Sequence, residues 1–151
     1  MMNEVEIYTD GGCHGNPGPG GWAFVLRADD LLVARSGYEA TTTNNRMELR
    51  AVIEALRAVI DVSARTAATE VRVYTDSQYV KGGITQWMRT WMRNGWLTSK
   101  KEPVKNQDLW VELHRESELI HPSWHWVKGH AGNEFNEQCD RLVQEAIARR
   151  S

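Results

Sequence analysis

Seven residues of this chain occur almost twice. Glu4 to Asp10 reads E-V-E-I-Y-T-D, and Glu70 to Asp76 reads E-V-R-V-Y-T-D. In the first copy Val5, Ile7 and Thr9 alternate with Glu6, Tyr8 and Asp10, the period of a β-strand. The second copy shares that phase, so in both strands Tyr and Asp point to one face and Val and Thr to the other. If the two strands are parallel neighbours, about 4.8 Å apart, Asp10 and Asp76 come together at their C-terminal ends. That edge of an open α/β sheet is where ligand sites usually form.

The rest of the chain supplies the surroundings for such a pair. The G-G-C-H-G-N-P-G-P-G-G run after Asp10 is rich in Gly and Pro and reads as a loop. Trp22–Leu26 and Leu31–Tyr38 read as two more strands. T-T-T-N-N offers helix-start residues ahead of Arg46–Ile60, where Met47, Ala51, Val52, Ala55, Leu56 and Val59 fall on one stripe. The following D-V-S-A-R-T-A-A-T-E reads as a surface connection, long enough for Val71–Thr75 to return parallel to the first strand. Ser77 begins a helical region interrupted at Gly82-Gly83, which resumes over Ile84–Arg93 and stops at Asn94-Gly95. Asp108–Leu119 reads as helix, Trp124–Val127 as extended and Glu134–Ala148 as helix. This order predicts an α/β fold, a mixed sheet covered by helices.

Two further acids belong with the repeated pair. Glu48 lies four residues before Val52 and seven before Ala55, within the apolar stripe of its helix, where a carboxylate is costly to bury without a positive partner. Asp140 flanks a stripe made by Phe135, Cys139, Leu142, Val143 and Ala146. Taken singly, an Asp closing a strand is a turn former or helix cap, and a Glu near an apolar face is paired with an Arg. Gathered at one sheet edge, the acids repel and need a cation. Oxygen ligands without Cys/His metal spacing favour Mg²⁺ or Mn²⁺ over zinc. Two such ions about 3.5–4 Å apart suit displacement at a phosphodiester.

A length of 151 residues fits one domain spanning 1–151, with room for a sizeable core. The net charge of −2 places any nucleic-acid surface in a local patch. Two cysteines do not make a disulfide framework, and the start M-M-N-E-V-E lacks a basic region followed by an apolar run. No apolar stretch approaches the roughly 20 residues that span a bilayer. The expectation is a cytoplasmic monomer with reduced thiols and no membrane partner.

Several long motifs, in order, carry a resemblance: Y-T-D-G-G-C-H-G-N-P-G-P-G-G-W, T-T-N-N-R-M-E-L, Y-T-D-S-Q-Y-V, K-E-P-V-K-N-Q-D-L-W, and W-V-K-G-H-A-G followed by N-E-Q-C-D. From about Val5 to the last helix the chain resembles bacterial type 1 ribonuclease H. The resemblance implies a ribonuclease H-like α/β fold, a five-stranded mixed sheet with helices on both sides. It implies an endonuclease that hydrolyses the RNA strand of RNA–DNA hybrids with two Mg²⁺ ions, Mn²⁺ remaining open, leaving 5′-phosphate and 3′-hydroxyl ends. By it, Asp10, Glu48, Asp76 and Asp140 hold the metal. His130 in K-G-H-A-G serves proton transfer or product departure, with Glu137 a weaker neighbour.

The same resemblance assigns substrate contacts. Cys13, Gly15 and Asn16 of the glycine-rich loop, with Asn44, Asn45 and Gln78, meet the minor groove and the ribose 2′-hydroxyls that mark RNA. Thr43 and Asn106 match a DNA-phosphate pocket. Trp87, Arg89, Trp91, Trp96, Lys100 and Lys101 lie in a basic, Trp-rich handle for the DNA strand. Trp87/Trp91 and Met88/Met92 are i,i+4 pairs expected on one face, with Trp87 mainly packed and Trp91 or Trp96 more exposed. Thr41 stands where relatives often carry a basic residue, and Met92 and Asn94 reduce the handle's charge, which implies weaker, less salt-resistant binding. The alternatives are a strand transferase with the same sheet and acids, against which stand T-T-N-N-R and G-H-A-G, and a non-catalytic hybrid-binding module, which would not call for clustered acids.

Overall fold

The computed structural model describes residues 4–28, 31–66, 70–127 and 134–149. Five strands and five α-helices follow in the order β1 (Glu4–Cys13), β2 (Gly18–Ala28), β3 (Leu31–Thr42), α1 (Asn44–Thr66), β4 (Glu70–Thr75), α2 (Gln78–Gly82), α3 (Met88–Arg93), α4 (Gln107–Ile120), β5 (Ser123–Trp126) and α5 (Glu134–Arg149), with a π-helical turn, Gly83–Trp87, joining α2 to α3. The strands form one sheet ordered β3-β2-β1-β4-β5. β1–β2 and β2–β3 are antiparallel, whereas β1–β4 and β4–β5 are parallel, so the sheet is mixed.

The repeated segments pair with each other. Glu4 faces Glu70, Val5 faces Val71, and so on to Tyr8 opposite Tyr74. The period-2 alternation then sorts side chains into two cores. Val5, Ile7, Phe24, Leu26, Val71 and Val73 meet α1 and α4 on one face, and Tyr8, Ala23 and Val25 meet Cys139, Val143 and Ile147 of α5 on the other. Each fully buried aliphatic side chain contributes roughly 1.5–3 kcal/mol. The buried surface of α1 is wider than the expected stripe and takes in Leu49 and Ile53, because the helix packs against α4 as well as the sheet.

Three expectations are corrected. The glycine-rich run is not all loop: Gly11, Gly12 and Cys13 continue β1, opposite Trp22, Gly21 and Gly20. The segment after Ile60 is not a connection, since the α1 backbone continues to Thr66. Gly82 and Gly83 do not interrupt a helix, for both have right-handed helical backbones. They are packing sites. A Cβ on Gly82 would lie 2.5 Å from the Trp87 ring, and one on Gly83 would collide with the ring of Trp110.

Candidate active site

Asp10 is 6% exposed and sits within β1 opposite Ala23, while Asp76 follows the last residue of β4. Because Tyr8 and Tyr74 are in register, the residues two further on share one side of the sheet. α1 crosses above them and brings Glu48. One carboxylate oxygen from each of Asp10, Glu48 and Asp76 lies within 4.8 Å of the others. The structure therefore brings the sequence-predicted pair together, with Glu48 as a third carboxylate.

Glycine at position 11 makes the triad possible. A Cβ there would lie 2.5 Å from the Glu48 backbone nitrogen and would strike the Met47 carbonyl carbon. With only hydrogen at that position, α1 settles onto β1, and the Gly11 N–H donates to the Glu48 carboxylate. The Ser77 hydroxyl donates to Glu48 as well, and its oxygen accepts from the Val80 N–H at 3.1 Å as the cap of α2. Burial, followed by the charges of Asp10 and Asp76, raises the Glu48 carboxyl well above its ordinary range, and the two hydrogen bonds only partly oppose this. Three carboxylates so close, with one pushed toward protonation, form a donor set fitted to a hard divalent cation.

Asp140 stands outside that triad. It is half-buried on α5, one residue beyond Cys139, whose thiol donates to the Tyr8 carbonyl at 3.3 Å and so pins α5 to β1 near Asp10. Burial and then the charge of Asp10 push the Cys139 thiol up to about 12. Glu137 is exposed on α5, and His130 lies outside the described residues.

The proposed RNA-reading residues form a braced group. The Cys13 thiol lies 2.7 Å from the Gly15 carbonyl and 3.3 Å from those of Gly18 and Thr42. Gly15 takes φ +76°, which glycine adopts without strain. Asn16 Oδ1 accepts the Asn44 N–H at 3.0 Å, tying the loop to the first turn of α1. Thr43 is the cap of that helix, its Oγ accepting from the Arg46 N–H at 3.2 Å. Asn45 is half-buried, and Gln78 is exposed at the start of α2.

The handle departs from expectation. Trp87 is the exposed indole, at 38%, whereas Trp91 and Trp96 are half-buried against the main core. Trp91 lies 5.4 Å from the ring of Trp110 and 6.2 Å from that of Trp96. Met88 is buried and Met92, near the end of α3, is 41% exposed. Trp87 and Trp91 remain neighbours, their rings 5.9 Å apart, but Trp91 turns in toward Trp110. A groove of about 360 Å³ is lined by Tyr79, Trp87, Trp91, Thr98, Val104 and Lys105. Arg89, Lys100 and Lys101 are exposed nearby in sequence.

Sequence reasoning missed four residues: Gly11, Ser77 as a donor to Glu48, Arg46 and Tyr79. For Ser77 the signal was its place directly after a strand-ending Asp. For Arg46 and Tyr79 no periodicity marks the role, because their partners lie far along the chain.

A mixed sheet of this order, with its carboxylates gathered beside the central parallel pair, defines an α/β enzyme class that works through divalent cations. The RNase H family model matches residues 2–148. The chain belongs to the ribonuclease H family, in its bacterial type 1 branch. It is 52% identical over 147 residues to the ribonuclease H of Marinobacter nauticus, covering 97% of this chain and 96% of that one. Among solved structures it is similar to LC9-RNase H1, described as a type 1 RNase H with the type 2 active-site motif, with a TM-score of 0.81 and 33% identity over 100% of this chain and 75% of that one. LC11-RNase H1, solved in complex with an RNA/DNA hybrid, superposes with a TM-score of 0.72 at 28% identity, covering 97% of this chain and 98% of that one.

Proposed function

We propose that this protein is a metal-dependent endonuclease that hydrolyses the RNA strand of RNA–DNA hybrids, leaving 5′-phosphate and 3′-hydroxyl ends. The observation that carries the reading is the convergence of Asp10, Glu48 and Asp76 within 4.8 Å on the ribonuclease H sheet. With Asp140 from α5 they would hold two Mg²⁺ ions, and Mn²⁺ suits the same oxygen donors. Bound there, the ions supply an acidified water and positive charge for the departing 3′ oxygen.

The chain's own side chains do the rest. The loop residues Cys13, Gly15 and Asn16, with Asn44, Asn45 and Gln78, read the RNA strand through its 2′-hydroxyls. Thr43 and Asn106 take a phosphate of the DNA strand, and Trp87, Arg89, Trp91, Trp96, Lys100 and Lys101 grip it further along. His130 moves a proton at the cleavage site. The protein acts as a cytoplasmic monomer of one domain, 1–151, and no helix among its described residues is long and apolar enough to cross a membrane.

The test compares labelled RNA–DNA hybrid, duplex RNA and duplex DNA, incubated with Mg²⁺ and either the native protein or Asp10→Asn. Cleavage of the RNA strand of the hybrid alone, abolished by the substitution, is expected. Cutting of duplex DNA, or activity indifferent to Asp10→Asn, would sink the reading.

A further inference from the structure

Asn106 is held in an unusual way. It precedes α4 in the left-handed region, at φ 61° and ψ 28°, and its side chain makes no capping bond to the helix it starts. The amide is engaged sideways instead. Its Oδ1 accepts from Arg46 Nη1 at 3.2 Å, and its Nδ2 donates to the Tyr79 hydroxyl at 3.0 Å.

The surrounding groups cannot exchange roles. A guanidinium has only donors, so the amide face toward Arg46 must be the carbonyl oxygen. The indole N–H of the fully buried Trp110 also points at the Tyr79 oxygen, at 3.0 Å, and an indole N–H can only donate. The Tyr79 oxygen is thereby fixed as acceptor for both. Arg46 is anchored in turn by Asp108, which receives its two terminal nitrogens at 3.0 and 2.8 Å, and by the cap of α1, where its backbone N–H meets Thr43 Oγ at 3.2 Å. A flipped Asn106 would set donor against donor at Arg46. One orientation survives, and it leaves the second Nδ2 hydrogen as the amide's uncommitted donor.

We infer that Arg46 and Tyr79 are positioning residues for the hybrid: they lock the Asn106 amide so that its remaining N–H is presented to a phosphate of the DNA strand. The inference rests on the proposed hybrid-binding function. It also joins two parts of the substrate surface, because Tyr79 directly follows Gln78, assigned to the RNA strand, while Asn106 is assigned to the DNA strand. Arg46 enters through its hold on the amide, with its own charge neutralised by Asp108.

Anisotropy of a fluorescein-labelled RNA–DNA hybrid in EDTA tests this, for the native protein, Tyr79→Phe, Arg46→Lys, Asn106→Ala and each double variant with Asn106→Ala. Measurements are made well below every melting temperature, since Tyr79→Phe also strips the Trp110 N–H of its acceptor. Tyr79→Phe and Arg46→Lys should each weaken binding about threefold to tenfold, the worth of one hydrogen bond. The salt dependence should be unchanged, because neither substitution alters charge. Each double variant should bind no worse than Asn106→Ala alone, and in Mg²⁺ the losses of Tyr79→Phe and Arg46→Lys should appear in KM. Native-like binding by either single variant, native-like binding by Asn106→Ala, or losses that multiply in the doubles would overturn the inference. Because the binding arm needs no divalent ion, a protein that binds hybrid without cutting it would refute the nuclease reading while the binding ratios still judge the amide lock.

Discussion

The Gly11 N–H donates to the Glu48 carboxylate, and a Cβ on Gly11 would lie 2.5 Å from the Glu48 backbone nitrogen. A strand residue with no side chain thus sets the height of α1 above the carboxylate cluster. Gly11→Ala should cost about 1–3 kcal/mol of stability through overpacking. It should also weaken Mg²⁺ binding, since Glu48 is displaced with its helix. Denaturant melts and calorimetric metal titrations check the two effects, and unchanged metal affinity would contradict this reading.

Glu48 sets a pH dependence. Its carboxyl is raised well above the ordinary 4.5, first by burial and then by Asp10 and Asp76. A carboxyl whose folded-state pKa exceeds the unfolded one favours the fold while protonated. Its contribution is full below about pH 4.5 and is lost as pH rises through the raised value. In EDTA at neutral pH, Glu48→Gln should therefore melt above the native protein, and the difference should vanish in acid. Added Mg²⁺ should reverse the order at neutral pH, because the native triad alone gains full cation binding. Melting temperatures across pH, with and without the ion, read all three outcomes.

The two indoles of the handle should separate binding from stability. Trp87, at 38% exposure, is placed to stack on nucleic acid, and Trp87→Ala should cost about 1–3 kcal/mol of hybrid affinity with a small change in melting temperature. Trp91 packs on Trp110, so Trp91→Ala should lose about 2 kcal/mol or more of folding stability. Anisotropy and thermal melts on the same samples distinguish them. A Trp87→Ala protein of native affinity would remove that side chain from the proposed surface.

The cysteines should react unequally. Cys139 is fully buried, its thiol pushed up to about 12, while Cys13 is half-buried near the surface. Thiolate is the reactive form. Alkylation of the native protein at mildly alkaline pH should give one adduct, at Cys13, with the second appearing only in denaturant. Mass spectrometry of the labelled peptides checks this.

Much of the site was legible because the repeat carries both phase and register: Tyr8 opposite Tyr74 implies Asp10 beside Asp76. Glu48 was legible as an acid in an apolar stripe. The glycines were harder. A Gly-rich run reads as loop, yet Gly11 and Gly12 are held in β1 by pairing with β2, and local periodicity does not contain that partner. Gly82 and Gly83 read as breakers because their packing partners include Trp110, far along the chain. The Trp87 and Trp91 exposures were exchanged because Trp91 packs on Trp110, a partner far along the chain that local periodicity does not contain. The Asn106 lock was invisible for a related reason, since Arg46, Tyr79 and Asn106 meet only when α1, α2 and α4 pack together.

The pairing of the two Tyr-Thr-Asp segments ties the carboxylate cluster to the register between β1 and β4. A slip of two residues between β1 and β4 would keep every side chain on its proper face, though it would unpack Val71 and Val73 from the main core. It would also carry Asp10 about 6.6 Å along the strand from Asp76, at about 3.3 Å per residue. A small cation with ligands at about 2.0–2.1 Å cannot bridge that gap. Cation binding during refolding would then report strand registration itself.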